Sequence, residues 1–298
     1  MKKNLLFGVI IAALVLIMVG CASNSTEPSD NGNSDNLEFM LNSDGKSYSV
    51  TGIGNCIDKD IIIPSTYENL PVTNINSWAF NCESMTSVTI GNNITSIERN
   101  AFYECDLLES VMIPSSVTSI DYEAFDSCDS LVSIQVSDSN EYYKSINGDL
   151  YSKDGKTLVQ YATGKADTVF VIPDGVMNIG KAAFCDCISL TSVTIPNSVT
   201  RIDNAAFARC KSLTSIVIPN GITSIGNEVF YRCTSLTNIT IPDSVVSIAK
   251  HALYECTSMI NINFAGTKAQ WNAVEKADYW NSKTGNYTVY CTDGNITK

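Results

Sequence analysis

The sequence predicts a β-rich solenoid of the α/β type, in which short parallel strands stack coil upon coil. Three observations carry this prediction. First, one pattern recurs seven times: Leu190-Thr191-Ser192-Val193-Thr194-Ile195-Pro196 is followed by Val199, Ile202, Ala206-Phe207 and Cys210, and Leu213 through Cys233 and Leu236 through Cys256 repeat it. Second, one apolar ladder runs through the copies at Phe80, Phe102, Phe125, Phe184, Phe207, Phe230 and Leu253. Third, a parallel ladder runs through Cys82, Cys105, Cys128, Cys187, Cys210, Cys233 and Cys256. Adjacent copies are 22 or 23 residues apart, and the one long jump lies between Phe125 and Phe184. A fixed short period means that each unit buries its apolar edge against two neighbours instead of closing a core of its own.

The elements follow in chain order. Met1-Lys2-Lys3 gives a positive start, and Leu5 through Val19 is a nearly unbroken apolar run. That run is shorter than the ~20 residues of a membrane-spanning helix. Met18-Val19-Gly20-Cys21 resembles a bacterial lipobox, which implies a lipoprotein signal peptide over 1–20 and acylation of Cys21. A secretory signal cut nearby, or an uncleaved anchor, are the other readings of the same run. Residues 21–36 hold Ser, Asn, Asp, Gly and Pro and almost nothing apolar, so they form a flexible linker. As a random coil it reaches roughly 20 Å.

Residues 37–71 read as an N-terminal cap with three short strands, at Leu37–Leu41, Tyr48–Thr51 and Ile61–Pro64. A cap is needed because an open strand edge templates aggregation. The repeats occupy 72–264. In each, x-V-x-I alternates with period two, as a strand does when one face is buried. Pro114, Pro196, Pro219 and Pro242 end their strands, since proline has no N–H for the ladder. Ala205 through Cys210 is too short for a full α-helix and is expected to form a single helical or 3₁₀ turn on the outer side. Residues 141–175 interrupt the array. There Asp149–Ser152 and Thr157–Tyr161 flank Lys153-Asp154-Gly155-Lys156, a hairpin signal, and Val169–Pro173 re-enters the repeat. The tyrosines of this insert are expected to be exposed. Residues 265–298, with Trp271, Trp280 and Cys291, form the C-terminal cap.

Strings such as Ser192-Val193-Thr194-Ile195-Pro196, Thr223-Ser224-Ile225-Gly226 and Phe230-Tyr231-Arg232-Cys233-Thr234-Ser235-Leu236 resemble the leucine-rich repeat of the BspA (Treponema-like) type. The resemblance covers about residues 37 to 298. It implies a right-handed leucine-rich-repeat coil with short helical turns on its convex side, terminal caps and one inserted hairpin. It also implies a surface lipoprotein associated with adhesion to host proteins, other cells or matrix. The usual buried asparagine of leucine-rich repeats is replaced here by Asn93, Ser116, Ser198, Gly221 or Ser244, so no uniform amide ladder satisfies the turns.

Formal net charge is −12, and loss of Lys2 and Lys3 with the leader makes it −14. That field repels nucleic acid and anionic head groups. Of the 11 cysteines, seven sit on the ladder beside core residues and read as a stacked column of buried free thiols. Coil spacing of about 4.8 Å leaves disulfide pairing open on distance alone. Cys185-Asp186-Cys187 is a ladder member with an outward neighbour, not a metal motif. The single histidine, His251, falls on a solvent-facing turn. The carboxylates Glu98, Asp121, Glu123, Asp203, Glu228 and Glu255 are scattered over turns, and no phosphate loop appears. No catalytic residue, metal site or cofactor is expected, and the chain reads as a non-enzyme and a monomer.

The remaining candidate is the outward strand face: Ser87, Thr89, Ser110, Met112, Ser133, Gln135, Ser192, Thr194, Ser215, Val217, Asn238, Thr240, Asn261 and Asn263. This strip of hydroxyls and amides suits hydrogen-bonded contact with a macromolecule better than enclosure of a small substrate. Equally, the same residues keep a solvated sheet soluble. The expected partners are a protein or glycan on a host or neighbouring cell surface, and the membrane through Cys21. A carbohydrate binder would use Tyr151, Tyr161, Trp271 and Trp280 as platforms. A passive envelope spacer would use none of these.

Overall fold

Each coil contributes two strands and one extended turn, and all three stack along the solenoid axis. The structure, a computed structural model, describes residues 36–297. The lipobox and Cys21 lie outside the described residues. The V-x-I strands form a four-stranded parallel sheet, spatially Ser133–Val136, Ser110–Ile113, Ser87–Ile90 and Asp60–Ile63. A second sheet of seven strands runs from Val169–Val171 to Thr288–Cys291 and closes with the antiparallel strand Gly294–Thr297. Pairing is in repeat register, Ser87 against Ser110 and Ser215 against Asn238. That register follows from the period, because a slip of one residue would turn the Val and Ile side chains to solvent.

The V-x-x-I stretch also forms strands, two residues long, that the sequence pattern does not announce. Ser96–Ile97 pairs with Ser119–Ile120, and Ser224–Ile225 with Ser247–Ile248. The outer segment differs from the helical or 3₁₀ turn expected. Ala205, Phe207 and Arg209 donate their N–H groups to Asn227, Val229 and Tyr231 of the next coil, while Ala206, Ala208 and Cys210 bond three residues back. A helical turn spends its N–H groups internally. Here left-handed backbone at Ala205 and Arg209 (φ 57° and 59°) turns alternate N–H groups along the axis instead. Among the described residues the one helix is Lys268–Ala273, in the C-terminal cap, held by a capping box from Thr267.

The core follows from stacking identical side chains at the coil spacing. Phe80, Phe102 and Phe125 lie 5.1 and 5.3 Å apart with rings nearly parallel, and Phe184, Phe207 and Phe230 follow at 4.9 and 5.6 Å. Tyr161 fills the apparent gap, its ring 5.4 Å from Phe184 and its N–H on Ala183. The long jump is therefore one unit of 36 residues and one of 23. The column cysteines are free, as the column reading expects. They are also donors: the thiols of Cys128, Cys210 and Cys233 each reach 3.0 Å to the carbonyl of Phe102, Phe184 and Phe207, one coil back. Burial pushes the Cys187 and Cys233 thiols well up and that of Cys256 up to about 12. In the inserted unit Gly164 holds the cysteine position, where a Cβ would lie 2.2 Å from the backbone of Ser130. Hydroxyls take over the asparagine's task at Ser116, Ser198 and Ser244, donating to Ile94, Val176 and Ile222.

The insert is a structural joint. Asp149–Ser152 pairs antiparallel with Thr157–Gln160, as the hairpin signal predicts, and a third strand, Tyr143–Ile146, lies on its other side. Leu150 packs into the N-terminal core and Tyr151 into the C-terminal one. Tyr142 of the insert is 51% exposed, as expected, but Tyr151 and Tyr161 are each 1% exposed, which corrects the expectation for these two. With both faces of the strand covered, there is no solvated side for them to occupy. Beside them the buried Asp149 accepts from Ala162 N–H and from Lys165 Nζ at 2.7 Å, two contacts that oppose the upward push of burial on its pKa. The N-terminal strands fall at Glu38–Leu41, Tyr48–Gly52 and Asp60–Ile63, where the pattern places them. Trp271, Tyr287 and Val289 are buried under the C-terminal cap.

Candidate binding surfaces

Two surfaces remain once the columns are filled, the outward strand face and the turn edge. On the first, alternation puts one residue in two outside, and all the strand-face candidates are there, half-buried or exposed. They do not form one strip. The Ile134 N–H donates to Gly148, so the insert takes the ladder place beyond Ser133–Val136. Ser87, Thr89, Ser110, Ser133 and Gln135 therefore sit on one sheet, and Ser192, Thr194, Ser215, Asn238, Thr240, Asn261 and Asn263 on the other.

Neighbouring coils tie these side chains together. Ser87 donates to Asp60 at 2.7 Å, and Asn261 to Asn238 at 2.6 Å. The second sheet is also less polar than expected, because Val169, Val171 and Val217 are 58%, 63% and 61% exposed. The period-two pattern through Val169-Phe170-Val171 is the signal that could have found the first two. Tyr290, at the far end, is the one large aromatic on this face.

The turn edge holds the charged chemistry. Arg209 donates to Asp186 through Nε at 2.7 Å and to Asp126 through Nη2 at 2.9 and 3.1 Å. Asp126 is 83 residues away in sequence. Its carboxyl is pushed up to about 6 by burial, with Arg209 opposing and Asp186 adding to the rise. Cys185, expected to point outward, is 3% exposed and packs with Ala182, Ala205 and Ala208. The tight turn and small residues of the neighbouring coil draw it in. Asp126, Cys185 and Asp186 bring donor atoms within 4.8 Å of one another, but the Arg209 guanidinium already engages both carboxylates and burial holds the thiol protonated. These residues fit an ion pair rather than a metal.

His251 is half-buried rather than fully solvent-facing, 3.7 Å from Glu228 and 5.0 Å from the Tyr254 ring. Tyr231 stacks on Tyr254 at 5.4 Å, and Tyr279 stands exposed beside them. The platforms named from sequence are not there: Tyr151, Tyr161 and Trp271 are buried and Trp280 packs against the core.

A family model for the BspA type leucine rich repeat region matches six copies, over residues 54–152 and 163–276. The chain belongs to this family. Two solved structures agree on the fold of this BspA-type chain, and a third is similar. A leucine-rich repeat protein from Bacteroides ovatus is 23% identical, with 86% of this chain and 71% of that one covered and a TM-score of 0.53. One from Eubacterium ventriosum is 16% identical, covering 84% and 93%, also at 0.53. A leucine rich cell surface protein from Faecalibacterium prausnitzii is 25% identical, covering 82% and 97%, with a TM-score of 0.48. No curated protein matches the chain.

Proposed function

We propose that this BspA-type protein is exported, held at a bacterial surface by an acylated Cys21, and binds a macromolecular partner, in the first place a protein, without catalysis. Residues 1–20 are then the leader and 21–36 the tether, with caps at 37–71 and 265–298 around repeats 72–264. The observation that carries the reading is the register of outward side chains. Coil after coil, Ser, Thr and Asn are presented at one height by a backbone whose own groups are already paired. A surface so fixed loses little freedom on binding. It has few aromatic or arginine anchors, so single contacts are weak and many displayed copies strengthen them.

The test is a binding screen of the protein against host matrix proteins and bacterial surface proteins, repeated with Gln135, Thr194, Thr240 and Asn263 each changed to Glu. Binding that falls at least tenfold in these variants is expected. No binding by the parent protein would leave a passive spacer as the account. For the anchor, labelled palmitate should enter at Cys21 and Cys21→Ala should leave the membrane; a variant that stays there removes the anchor.

A further inference from the structure

The turn edge carries a trough lined by residues from both sides of the insert. Along one column Glu123, Ala182, Ala205, Glu228 and His251 all have left-handed backbone, with φ between 56° and 60°. The outer turn of the inserted unit is missing here: Ser127 Oγ lies 3.5 Å from Asp186 and Lys181 Nζ 3.2 Å from the Tyr122 ring centroid. Glu123 and Ala182, 59 residues apart in sequence, are therefore neighbours along the edge. Between Glu123 and Glu228 the column carries only the short side chains of Ala182 and Ala205, which leaves the edge open there. The trough encloses about 410 Å³.

Its chemistry is mixed. Lys181, Asn204, Asn227 and Lys250, each 23 residues from the next, line the trough together with Ala205, Glu123 and Glu228. Asn204 Oδ1 accepts the Asn227 N–H at 2.9 Å, so this amide is fixed with its oxygen engaged and offers a ligand its NH2. Arg99 holds Glu123 in place at 2.7 Å, and Glu228 keeps an exposed carboxylate. A polyanion would meet both carboxylates and the field of a chain with net charge −12. An apolar peptide would find only the Ala205 methyl and the Tyr122 ring, which the Lys181 ammonium already covers. A hydroxyl-rich chain meets ammonium and amide donors and carboxylate acceptors, and each of its hydroxyls both donates and accepts.

We propose that this trough binds a linear neutral glycan, laid along the solenoid axis across the coils of Phe184 and Phe207. The site is separate from the strand face, so it stands or falls independently of protein binding there. The column itself supplies the test. His251 occupies the same backbone conformation as Ala205, so Ala205→His fills the trough with a side chain the turn already accommodates.

Affinity electrophoresis of the detergent-solubilised full chain in gels holding xylan, mixed-linkage β-glucan or glucomannan should show retardation by at least one of them. Ala205→His should weaken that interaction at least tenfold with an unchanged melting temperature, while Ala205→Gly and the strand-face Gln135→Glu and Thr194→Glu variants keep it. No retardation by any of the three, or equal retardation of Ala205→His, overturns the proposal. Tighter binding of dextran sulfate or RNA than of the neutral polymers overturns it too, as does loss of glycan binding in the strand-face variants.

Discussion

Replacing Arg209 by Met tests the account of how the solenoid passes its own interruption. The insert has no outer turn, so the coil carrying Asp126 meets the one carrying Asp186 directly, and Arg209 bonds to both. Their side chains are 7% and 12% exposed. Methionine keeps most of the volume and leaves two adjacent buried carboxylates without a counter-ion. Breaking a buried pair in this way costs about 3–5 kcal/mol. The guanidinium side chain is itself 32% exposed, so solvent screening places the expected loss near the lower end, about 3 kcal/mol.

The loss should depend on pH. In the parent protein the Asp126 carboxyl is raised from 3.8 to about 6, chiefly by burial. A raised carboxylate stabilises the fold when protonated, so its contribution is complete below about pH 4 and disappears as pH rises through about 6. Without Arg209, which opposes the rise, Asp126 holds its proton to still higher pH. The variant should therefore recover stability between pH 7 and pH 5, by at most about 1.4 kcal/mol per unit. Urea unfolding followed by tryptophan emission reads both halves, since Trp78 lies before the joint and Trp271 and Trp280 after it. A loss under about 1 kcal/mol at pH 7, or the same loss at pH 5 as at pH 7, would refute the reasoning.

Two further outcomes follow from the columns. Phe207→Ala, which loses stacked rings on both sides, should cost about 4 kcal/mol by denaturant unfolding, and Phe80→Ala, with one stacked neighbour, about 1 kcal/mol less; equal losses would argue against stacking along the axis. Under native conditions an alkylating reagent should label the half-buried Cys56 and Cys291 first and reach Cys105, Cys128, Cys210, Cys233 and Cys256 only after unfolding, as mass spectrometry of the labelled chain would show. Prompt labelling of the column would contradict its burial.

The repeat period was enough to determine the coil, the strands and the inward columns, because side chains at one position of a short repeat must meet their own copies. The hairpin was legible for a local reason: Lys153-Asp154-Gly155-Lys156 sits between two alternating stretches. Tyr161 as a member of the phenylalanine column was not, because the extra residues of the insert hide its register until the backbone shows Tyr161 bonded to Ala183. Nor did the pattern show that ladder thiols serve as donors, since that depends on which carbonyl the next coil leaves within reach. The strand-face residues were assigned correctly to the outside, but their division into two sheets depends on where the insert lies. Arg209 with Asp126, Cys185 turned inward, and the trough over Ala205 were decided by tertiary structure alone. Each arises where one outer turn is absent and distant coils close on each other, and no periodic rule describes the place where the period fails.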